Sequence, residues 1–471
     1  MGKDVYEDFL KIVGFEGDDI PKNLPEWRTA SEKMGLTEED VRFATEEWIP
    51  QNWDITSRGV RKAIGAFIRE AIDLSKANEY KKNGVKIVYG ILPAILSNYL
   101  AIKESGGDRV FVSFPDLFLV SALNSFFHKV NPYLETAETE GGITYGCRHC
   151  ALNKTRLAAR MRGVIPSPDV IWTWGFNCDE GPKTDEYFNC YYNPDWNVEI
   201  TRIPHDTHFG EIDDENRERV EYLALQMKDS CEKVEDTIGI KITPESLSEA
   251  VKTWGRFAFK NGQLQHMVAT SDPLVLDGNT TTLVAQPLGV PFNTGLGYME
   301  EAIDILIKEG REKIQKGEGI LPKGAPKVGA YFVPFTNPWM DKMFRENGVG
   351  LTFSLTMTIS KRQLKPPTYK DPYMALSEQW LRMPVGMNMG LEIEDTIEKI
   401  EAFKPDAMLM GFFDFDRWLG AHQKMVAKLV EERIGVPHFY LECDFWEDRD
   451  YSAEALRTRI ESMCQVIKMR K

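Results

Sequence analysis

Residues 404–443, "KPDAMLMGFFDFDRWLGAHQKMVAKLVEERIGVPHFYLEC", contain a short apolar run, a longer helical pattern and a second short apolar run. The outer runs, "DAMLMGFF" and "VPHFYLEC", are bounded by Pro, Gly and Asp, as is typical of buried strands. The central run, "AHQKMVAKLVEERIG", has helical spacing and ends at a glycine. Strand, helix and strand in this order predict two parallel strands joined by a crossover helix.

The same alternation extends outward from this stretch. After the turn-rich "KGEGILPKGAPK" (316–327), the segments "VGAYFVPF", "PWMDKMFREN", "GLTFSLTM" and "IEDTIEKIEAF" predict strand, helix, strand and helix. The stretch is followed by "SAEALRTRIESMCQVIKM", which predicts a terminal helix. The C-terminal part of the chain is therefore predicted to be one α/β lobe with a parallel sheet.

The N-terminal part repeats this plan behind a helical entry. Strands are predicted at "VKIVYGIL" (85–92), "RVFVSF" (109–114) and "DVIWTW" (169–174), while the first eighty residues show helical patterns with Thr37 as an N-cap. We predict an α/β fold with two doubly wound parallel-sheet lobes and helices between them. The predicted divisions are an N-terminal helical extension (1–82), a first lobe (83–212), a helical region (213–324) and a second lobe (325–471). Two such lobes suggest a duplicated plan.

Composition excludes several classes of function. The net charge of −15 argues against a broad surface for nucleic acid or anionic lipid. The N-terminus does not resemble a secretory signal, and no apolar run approaches the ~20 residues that span a bilayer. We therefore expect a cytoplasmic protein that binds neither membrane nor nucleic acid. Seven cysteines are too few for a disulfide scaffold, so reduced thiols are expected, which makes metal or cluster ligation admissible.

Two of the cysteines, Cys147 and Cys150, form a C-x-x-C pair. This spacing is compatible with a zinc knuckle, a redox dithiol, half of an iron–sulfur site or two buried residues at a helix start. Structural zinc would need a second pair of ligands nearby, and none is present. The four interpretations stay open on the pair alone.

Cys178, in "NCDEGPK", lies where the strand "DVIWTW" gives way to a polar loop. Open α/β sheets bind ligands at this edge. Cys150 and Cys178 are separated by one helix and one strand, so they can meet there as two thiolate ligands of an iron–sulfur cluster. We expect the remaining four cysteines to be structural: Cys190, Cys231, Cys443 and Cys464.

Three stretches give the chain a family resemblance: residues 150–188, residues 403–463 and, more loosely, "VKIVYGILPAILSNYLAIKESGGDRV". The chain resembles the 2-hydroxyacyl-CoA dehydratase and benzoyl-CoA reductase family over about residues 83–195 and 325–464. The resemblance implies two α/β lobes, a low-potential [4Fe–4S] cluster (with a variant or double cluster as alternatives) and an acyl-CoA or aroyl-CoA substrate. It also implies a related second subunit and a separate ATP-hydrolysing iron–sulfur activator. The absence of a phosphate-binding loop motif fits a chain that hydrolyses no nucleotide by itself.

The resemblance maps two cluster ligands onto Cys150 and Cys178. The family's third cysteine falls at or near Asp416 in "GFFDFDRWLG", and there is no cysteine between Cys231 and Cys443. Three alternatives follow: Asp416 or Asp414 is an oxygen ligand, Cys147 supplies the third thiolate, or the subunit has lost its cluster.

The leading hypothesis is therefore a subunit of an ATP-dependent radical reductase or dehydratase. In this hypothesis Lys154, Arg156 and Lys183 are candidates to meet CoA phosphates, with solvated surface positions as the alternative. The residues do not separate benzoyl-type reduction from 2-hydroxyacyl dehydration. A cluster-poor scaffolding or electron-transfer subunit and a structural zinc or thiol protein are the other hypotheses.

Overall fold

The computed structural model describes residues 4–92, 94–143, 149–175, 180–204, 217–383, 388–412, 417–444, 446–449 and 452–471. The strands of these ranges form two four-stranded sheets in which every pairing is parallel. The first sheet contains β1 (Lys86–Gly90), β2 (Val110–Ser113), β3 (Val170–Gly175) and β4 (Val198–Arg202). The second contains β5 (Lys327–Ala330), β6 (Gly350–Ser354), β7 (Ala407–Phe412) and β8 (His438–Cys443).

The two sheets have the same topology, with strand orders β2-β1-β3-β4 and β6-β5-β7-β8. The central strands β1, β3 and β5 are buried on both faces, which explains why they appear in the sequence as continuous apolar runs. The direction of winding reverses between β1 and β3 and between β5 and β7. The carboxyl ends of these strands are the positions at which open α/β sheets bind ligands. The predicted fold class is confirmed.

Helices precede the first sheet, as predicted. They are α1 (Val5–Ile12), α2 (Asp19–Lys33), α3 (Glu38–Phe43), a π-helical turn (Ala44–Trp48), α4 (Ile49–Asn52), α5 (Arg58–Ser75) and α6 (Ala77–Lys82). Thr37 caps α3 in a reciprocal capping box with Asp40, which confirms the predicted helix start. The Phe67 ring of α5 packs edge-on against Phe292, at a centroid distance of 5.3 Å. These helices therefore share the core of the molecule.

The first sheet is connected through helices on both of its faces. They are α7 (Leu96–Gly106), a 3₁₀ turn (Gly107–Arg109), α8 (Pro115–Val120), a π-helical turn (Ser121–Phe126), α9 (Asn131–Thr139), α10 (Ala151–Met161), α11 (Glu180–Tyr187) and a π-helical turn (Phe188–Tyr192). The region between the sheets is helical, as predicted, and contains α12 (Arg217–Ile238), α13 (Pro244–Thr270), α14 (Gly278–Ala285), a 3₁₀ turn (Gln286–Leu288) and α15 (Gly297–Lys316).

The second sheet is connected through α16 (Pro338–Glu346), α17 (Pro372–Leu381), α18 (Met389–Phe403), α19 (Arg417–Ile434) and α20 (Ala453–Arg470). The buried apolar side chains form one cluster that extends from Val5 to Ile467 and includes both sheets. Within the described ranges, no helix combines the length and the apolar character that crossing a membrane requires.

One aspartate in each half holds the equivalent pair of strands together. Asp169, just before β3, accepts a hydrogen bond from the backbone N–H of Ile87 at 2.8 Å, and its own N–H donates to the Ile87 carbonyl. Asp406, just before β7, does the same with Lys327. Both aspartates belong to a Pro-Asp dipeptide, and four residues separate β3 from α11 and β7 from α19. The predicted duplicated plan is thus present in the details of the strand pairing.

A β-bulge between β7 and β8 distinguishes the second sheet from the first. The register of β7 and β8 shifts between Met410 and Phe412. Gly411 has a φ of +97°, and a β-carbon at this position would lie 3.0 Å from the backbone nitrogen of Leu441. Glycine is therefore needed for this close approach of the two strands.

Candidate active site

Cys150 is the one predicted cluster ligand that lies within the described residues. It is 7% exposed and occupies the N-cap position of α10 with an extended backbone (φ −65°, ψ 155°). The end of a helix that carries its free N–H groups has a partial positive charge, which favours the thiolate form of a cysteine. The thiolate is the form that binds metal. The other predicted ligands lie outside the described residues and stay predictions. They are Cys147, Cys178 and Asp416, with Asp414 as the alternative.

The residues that flank Cys150 and Cys178 lie in contact with one another. The His149 Nδ1 atom is 2.8 Å from Thr184 Oγ1 and 3.5 Å from Glu180 Oε2. His149 precedes Cys150 by one position, and Glu180 follows Cys178 by two. The first turn of α11 therefore lies beside the start of α10, as the two-thiolate hypothesis requires.

The second lobe reaches the same point through Asp444. The backbone N–H of Ala151 donates a hydrogen bond of 3.2 Å to Asp444 Oδ2. Asp444 follows the last residue of β8, Cys443, which is in register with Phe412 at the end of β7. The segment 413–416, which contains Asp416, starts directly after Phe412. The carboxyl edges of both sheets thus meet at the start of α10.

Asp444 has an unusual environment for an acidic side chain. Burial and the neighbouring Glu447 carboxylate raise its pKa to about 7, although the N–H groups of Trp446 and Ala151 donate hydrogen bonds to it. No local sequence pattern indicates the hydrogen bond from Ala151 to Asp444, because the two residues are 293 positions apart.

A group of buried and partly buried charges surrounds the next turn of α10. Lys154 donates to Glu138 at 2.9 Å, and Arg449 donates to both Glu138 oxygens at 2.8 and 3.0 Å. Arg449 also pairs with Glu447, whose carboxylate lies 3.9 Å from Lys154. Burial alone would raise the pKa of Glu138, but hydrogen bonds from Arg449 and Lys154 outweigh it and lower that pKa. These residues join the two lobes through paired charges.

Arg156 forms a second buried group on the same helix. It pairs with Asp116 and donates to Asp185 at 3.1 and 3.2 Å, and all three side chains are nearly inaccessible. Burial raises the pKa of Asp185 to about 6, although Arg156 and the Trp196 indole oppose it. The alternative of solvated positions is therefore wrong for Lys154 and Arg156, because their charges are balanced by buried carboxylates. Lys183 is 46% exposed and pairs with Glu180.

The remaining cysteines divide into packed and exposed residues. Cys231 and Cys464 are buried, which agrees with the structural role expected of them. Burial raises the pKa of Cys464 to about 11 and that of Cys231 further still, so both are poor candidates for thiolate ligands. Cys190 is exposed, which does not agree with the structural role expected of it. The side chain of Cys443 lies outside the described residues.

The described part of the chain brings together no group of three or more His, Cys, Asp or Glu side chains that could hold a metal ion. Within that part, the site consists of one buried thiol at a helix start, the two sheet edges that meet there and the paired charges behind it.

Comparison with known proteins gives two matches. A family model described as "2-hydroxyglutaryl-CoA dehydratase, D-component" matches residues 120–467, a range that includes all four predicted ligands. The chain is also similar to the (R)-2-hydroxyisocaproyl-CoA dehydratase alpha subunit of Clostridioides difficile, with 21% identity over 359 residues. This alignment covers 72% of the chain and 81% of the relative.

Proposed function

Because the chain belongs to the 2-hydroxyglutaryl-CoA dehydratase D-component family, we propose that it is a subunit of an enzyme that acts on a CoA thioester through a [4Fe–4S] cluster bound between its lobes. The family match confirms the resemblance found in the sequence. The observation that carries the cluster proposal is the buried Cys150 at a helix start, which Glu180, close after Cys178, and Asp444, at the end of β8, both approach. Strand β8 pairs with β7, the strand that precedes segment 413–416.

The donor set suits the proposed group. Cys150 and Cys178 would hold the cluster with Asp416, Asp414 or Cys147 as a further ligand, and soft thiolates are the preferred ligands of iron–sulfur clusters. A bound cluster of this kind supplies single electrons at low potential to the thioester. In the proposal, the residues around the cluster site hold its helix in place and balance its buried charges. Asp444 holds the start of α10 against the second lobe, and Lys154 and Arg449 neutralise the carboxylates buried behind it.

The reaction and the partners extend the proposal. The family description and the relative both name dehydratases, which favours 2-hydroxyacyl dehydration over benzoyl-type reduction. The relative is an alpha subunit, which supports a complex with a related second subunit. We propose further that a separate ATP-hydrolysing iron–sulfur activator supplies the electrons.

The proposal predicts the metal content of the protein. After anaerobic purification, the chain should contain about four irons and four sulfides, the content of one [4Fe–4S] cluster. The Cys150→Ala and Cys178→Ala variants should lose most of this iron, whereas Cys231→Ala should retain it, because Cys231 is buried in the packed face of α12. Iron and sulfide assays on folded samples, judged by circular dichroism, measure the difference.

Two outcomes would contradict this proposal. Equal iron in Cys150→Ala and Cys231→Ala would refute the ligand assignment. A folded wild-type chain without iron would favour the alternative, a scaffolding subunit that supports a cluster-bearing partner. Unchanged iron in Asp416→Ala would exclude that carboxylate and leave Asp414 and Cys147 as the further candidates.

A further inference from the structure

In both lobes, a candidate ligand segment connects a central strand to the helix that follows it. Helix α10 leads into β3 and α11 follows this strand, while α18 leads into β7 and α19 follows it. Segment 176–179 contains Cys178 and connects β3 to α11. Segment 413–416 contains Asp414 and Asp416 and connects β7 to α19. The placement of α11 and α19 therefore fixes the point at which each segment ends.

A buried ion pair joins α10 to α11 in the first lobe. Arg156 of α10 donates to Asp185 of α11 at 3.1 and 3.2 Å, and both side chains are 1% exposed. The Trp196 indole donates to the same Asp185 oxygen at 3.1 Å. Arg156 also pairs with Asp116 of α8. One guanidinium group thus links the helix that begins at Cys150 to the helix that follows Cys178.

A buried pair in the second lobe joins the two equivalent helices. His422 Nε2 of α19 lies 2.6 Å from Glu392 Oε2 of α18, and the two residues are 3% and 2% exposed. The next residue, Gln423, accepts a hydrogen bond of 2.9 Å from the N–H of Gly411, the penultimate residue of β7. Helix α19 is therefore held both to α18 and to the strand before segment 413–416.

The two pairs occupy matching places in the two lobes. Asp185 is the sixth residue of α11 and lies ten positions after Gly175, the end of β3. His422 is the sixth residue of α19 and lies ten positions after Phe412, the end of β7. The chemistry differs, because the acidic partner lies on the helix after the strand in the first lobe and on the helix before it in the second. The position is thus shared although the residue types are not.

Buried charged pairs are an expensive way to join two helices. Taking both groups out of water costs free energy that their attraction offsets only in a good geometry, and apolar residues in their place are often as stable. Such a pair therefore contributes more to the relative position of two helices than to the free energy of unfolding. Groups that orient the ligands of a metal site commonly change its affinity about tenfold or more when they are removed.

We infer that two cross-helix pairs, Arg156–Asp185 and Glu392–His422, are positioning residues that hold segments 176–179 and 413–416 in the arrangement a cluster between the lobes requires. The inference rests on the proposed function and deepens it by assigning residues that support the ligands without binding the cluster. It also assigns segment 413–416 to the site, since one of the two pairs supports that segment.

Release of iron from the loaded protein tests the inference without turnover. After anaerobic purification, Asp185→Ala and His422→Ala should each lose iron to bathophenanthroline disulfonate about tenfold faster than the wild type. Both should also change the EPR spectrum of the dithionite-reduced cluster. Asp185→Asn keeps an acceptor for Arg156, and His422→Gln keeps a donor for Glu392. These two conservative variants should restore most of the wild-type rate and spectrum.

Asp395→Ala is the matched control for loss of stability. Asp395 is 3% exposed and pairs at 2.5 Å with Lys399, one turn further along the same helix, α18. Its removal deletes a buried carboxylate from a pair that lies within one helix and joins no second one. Asp395→Ala should lower the denaturant midpoint but leave iron release and the EPR spectrum unchanged. Iron release as fast as in His422→Ala would overturn the inference, because general destabilisation would then explain it.

Arg156→Lys and Glu392→Gln cover the case in which the alanine variants do not fold. Lysine keeps the buried charge but replaces the guanidinium fork by one ammonium group, and glutamine keeps an oxygen for His422. Each should release iron at least about threefold faster. Wild-type rates in the folded variants of both lobes would overturn the inference and leave the proposed function standing. An effect in the first lobe alone would overturn the paired role, and a wild-type chain without iron would overturn the proposed function as well.

Discussion

Lys154 lies one helical turn beyond Cys150, and its backbone N–H donates to the Cys150 carbonyl at 3.2 Å. Its side chain is 4% exposed and meets the carboxylates of Glu138 and Glu447. Removing one partner of a buried ion pair costs more than the pair contributes, because the remaining charge stays buried and unbalanced. The helix start at Cys150 therefore lies beside a buried charge pairing that the sequence analysis did not predict.

Lys154→Met should consequently lower the free energy of unfolding by about 2–4 kcal/mol. Lys252→Met, at a lysine that is 70% exposed and pairs with Glu249, is the control and should change it by no more than about 0.5 kcal/mol. Denaturant unfolding at neutral pH measures both. Equal effects of the two substitutions on the free energy of unfolding would show that the buried ion pairs of Lys154 stabilise the protein no more than an exposed pair does.

The candidate site could be predicted from the sequence only in part. Cys150 and Cys178 follow from their places at a helix start and after a strand, which are local features. The hydrogen bond from Ala151 to Asp444 and the pairing of Glu138 with Arg449 link residues 293 and 311 positions apart. Such contacts depend on how the two lobes pack, and no local pattern records that.

Helix caps and apolar runs in the sequence predicted the helices and strands in which these signals are strong. Thr37 caps α3 as predicted, and the strands β1, β2, β7 and β8 lie within the predicted runs, while β3 extends one residue beyond its run. The sequence reading missed β4, because this strand is short, only partly buried and has no continuous apolar run. It also missed α8, α9 and α17, which are short and begin at or next to proline.

The paired aspartates before β3 and β7 lead to a prediction about strand registration. Asp169→Ala and Asp406→Ala should each lower the free energy of unfolding by about 1–2 kcal/mol, because each leaves a strand N–H without its acceptor. The double variant should show the sum, since the two residues lie in different sheets. Asp229→Ala, at an exposed residue of α12, is the control. A large difference between the two single variants, seen in denaturant titrations, would contradict equivalent roles.

Across the whole molecule, buried carboxyl groups with raised pKa values lie in both lobes and in the N-terminal helices. Burial raises the pKa of Glu70 to about 8, that of Asp341 to about 7 and that of Asp185 to about 6. A carboxyl group whose folded-state pKa is above its unfolded-state pKa stabilises the protein at low pH, and this contribution is lost as the pH rises through the folded-state value. The fold should therefore lose stability between about pH 4 and 8.

Asp341→Asn tests this pH dependence. The substitution removes one titrating group while keeping an oxygen for the hydrogen bond that Arg345 donates at 2.9 Å. The loss of stability with rising pH should become less steep by up to about 1.4 kcal/mol per pH unit between about pH 4 and 7. Asp236→Asn, at an aspartate that is 77% exposed, should leave the slope unchanged. Parallel wild-type and Asp341→Asn curves in thermal or urea unfolding would contradict the prediction.

The equal length of the segments after β3 and β7 bears on the origin of the chain. Cys178 lies three positions after the end of β3, and Phe415 lies three positions after the end of β7; Asp179 and Asp416 are both in fourth position. Fusion of two copies of one ancestral unit would have placed the same residue at both third positions. In the proposed site, the first copy contributes a thiol at this position, whereas the second copy has a phenyl ring there and offers the carboxylates of Asp414 and Asp416 on either side of it.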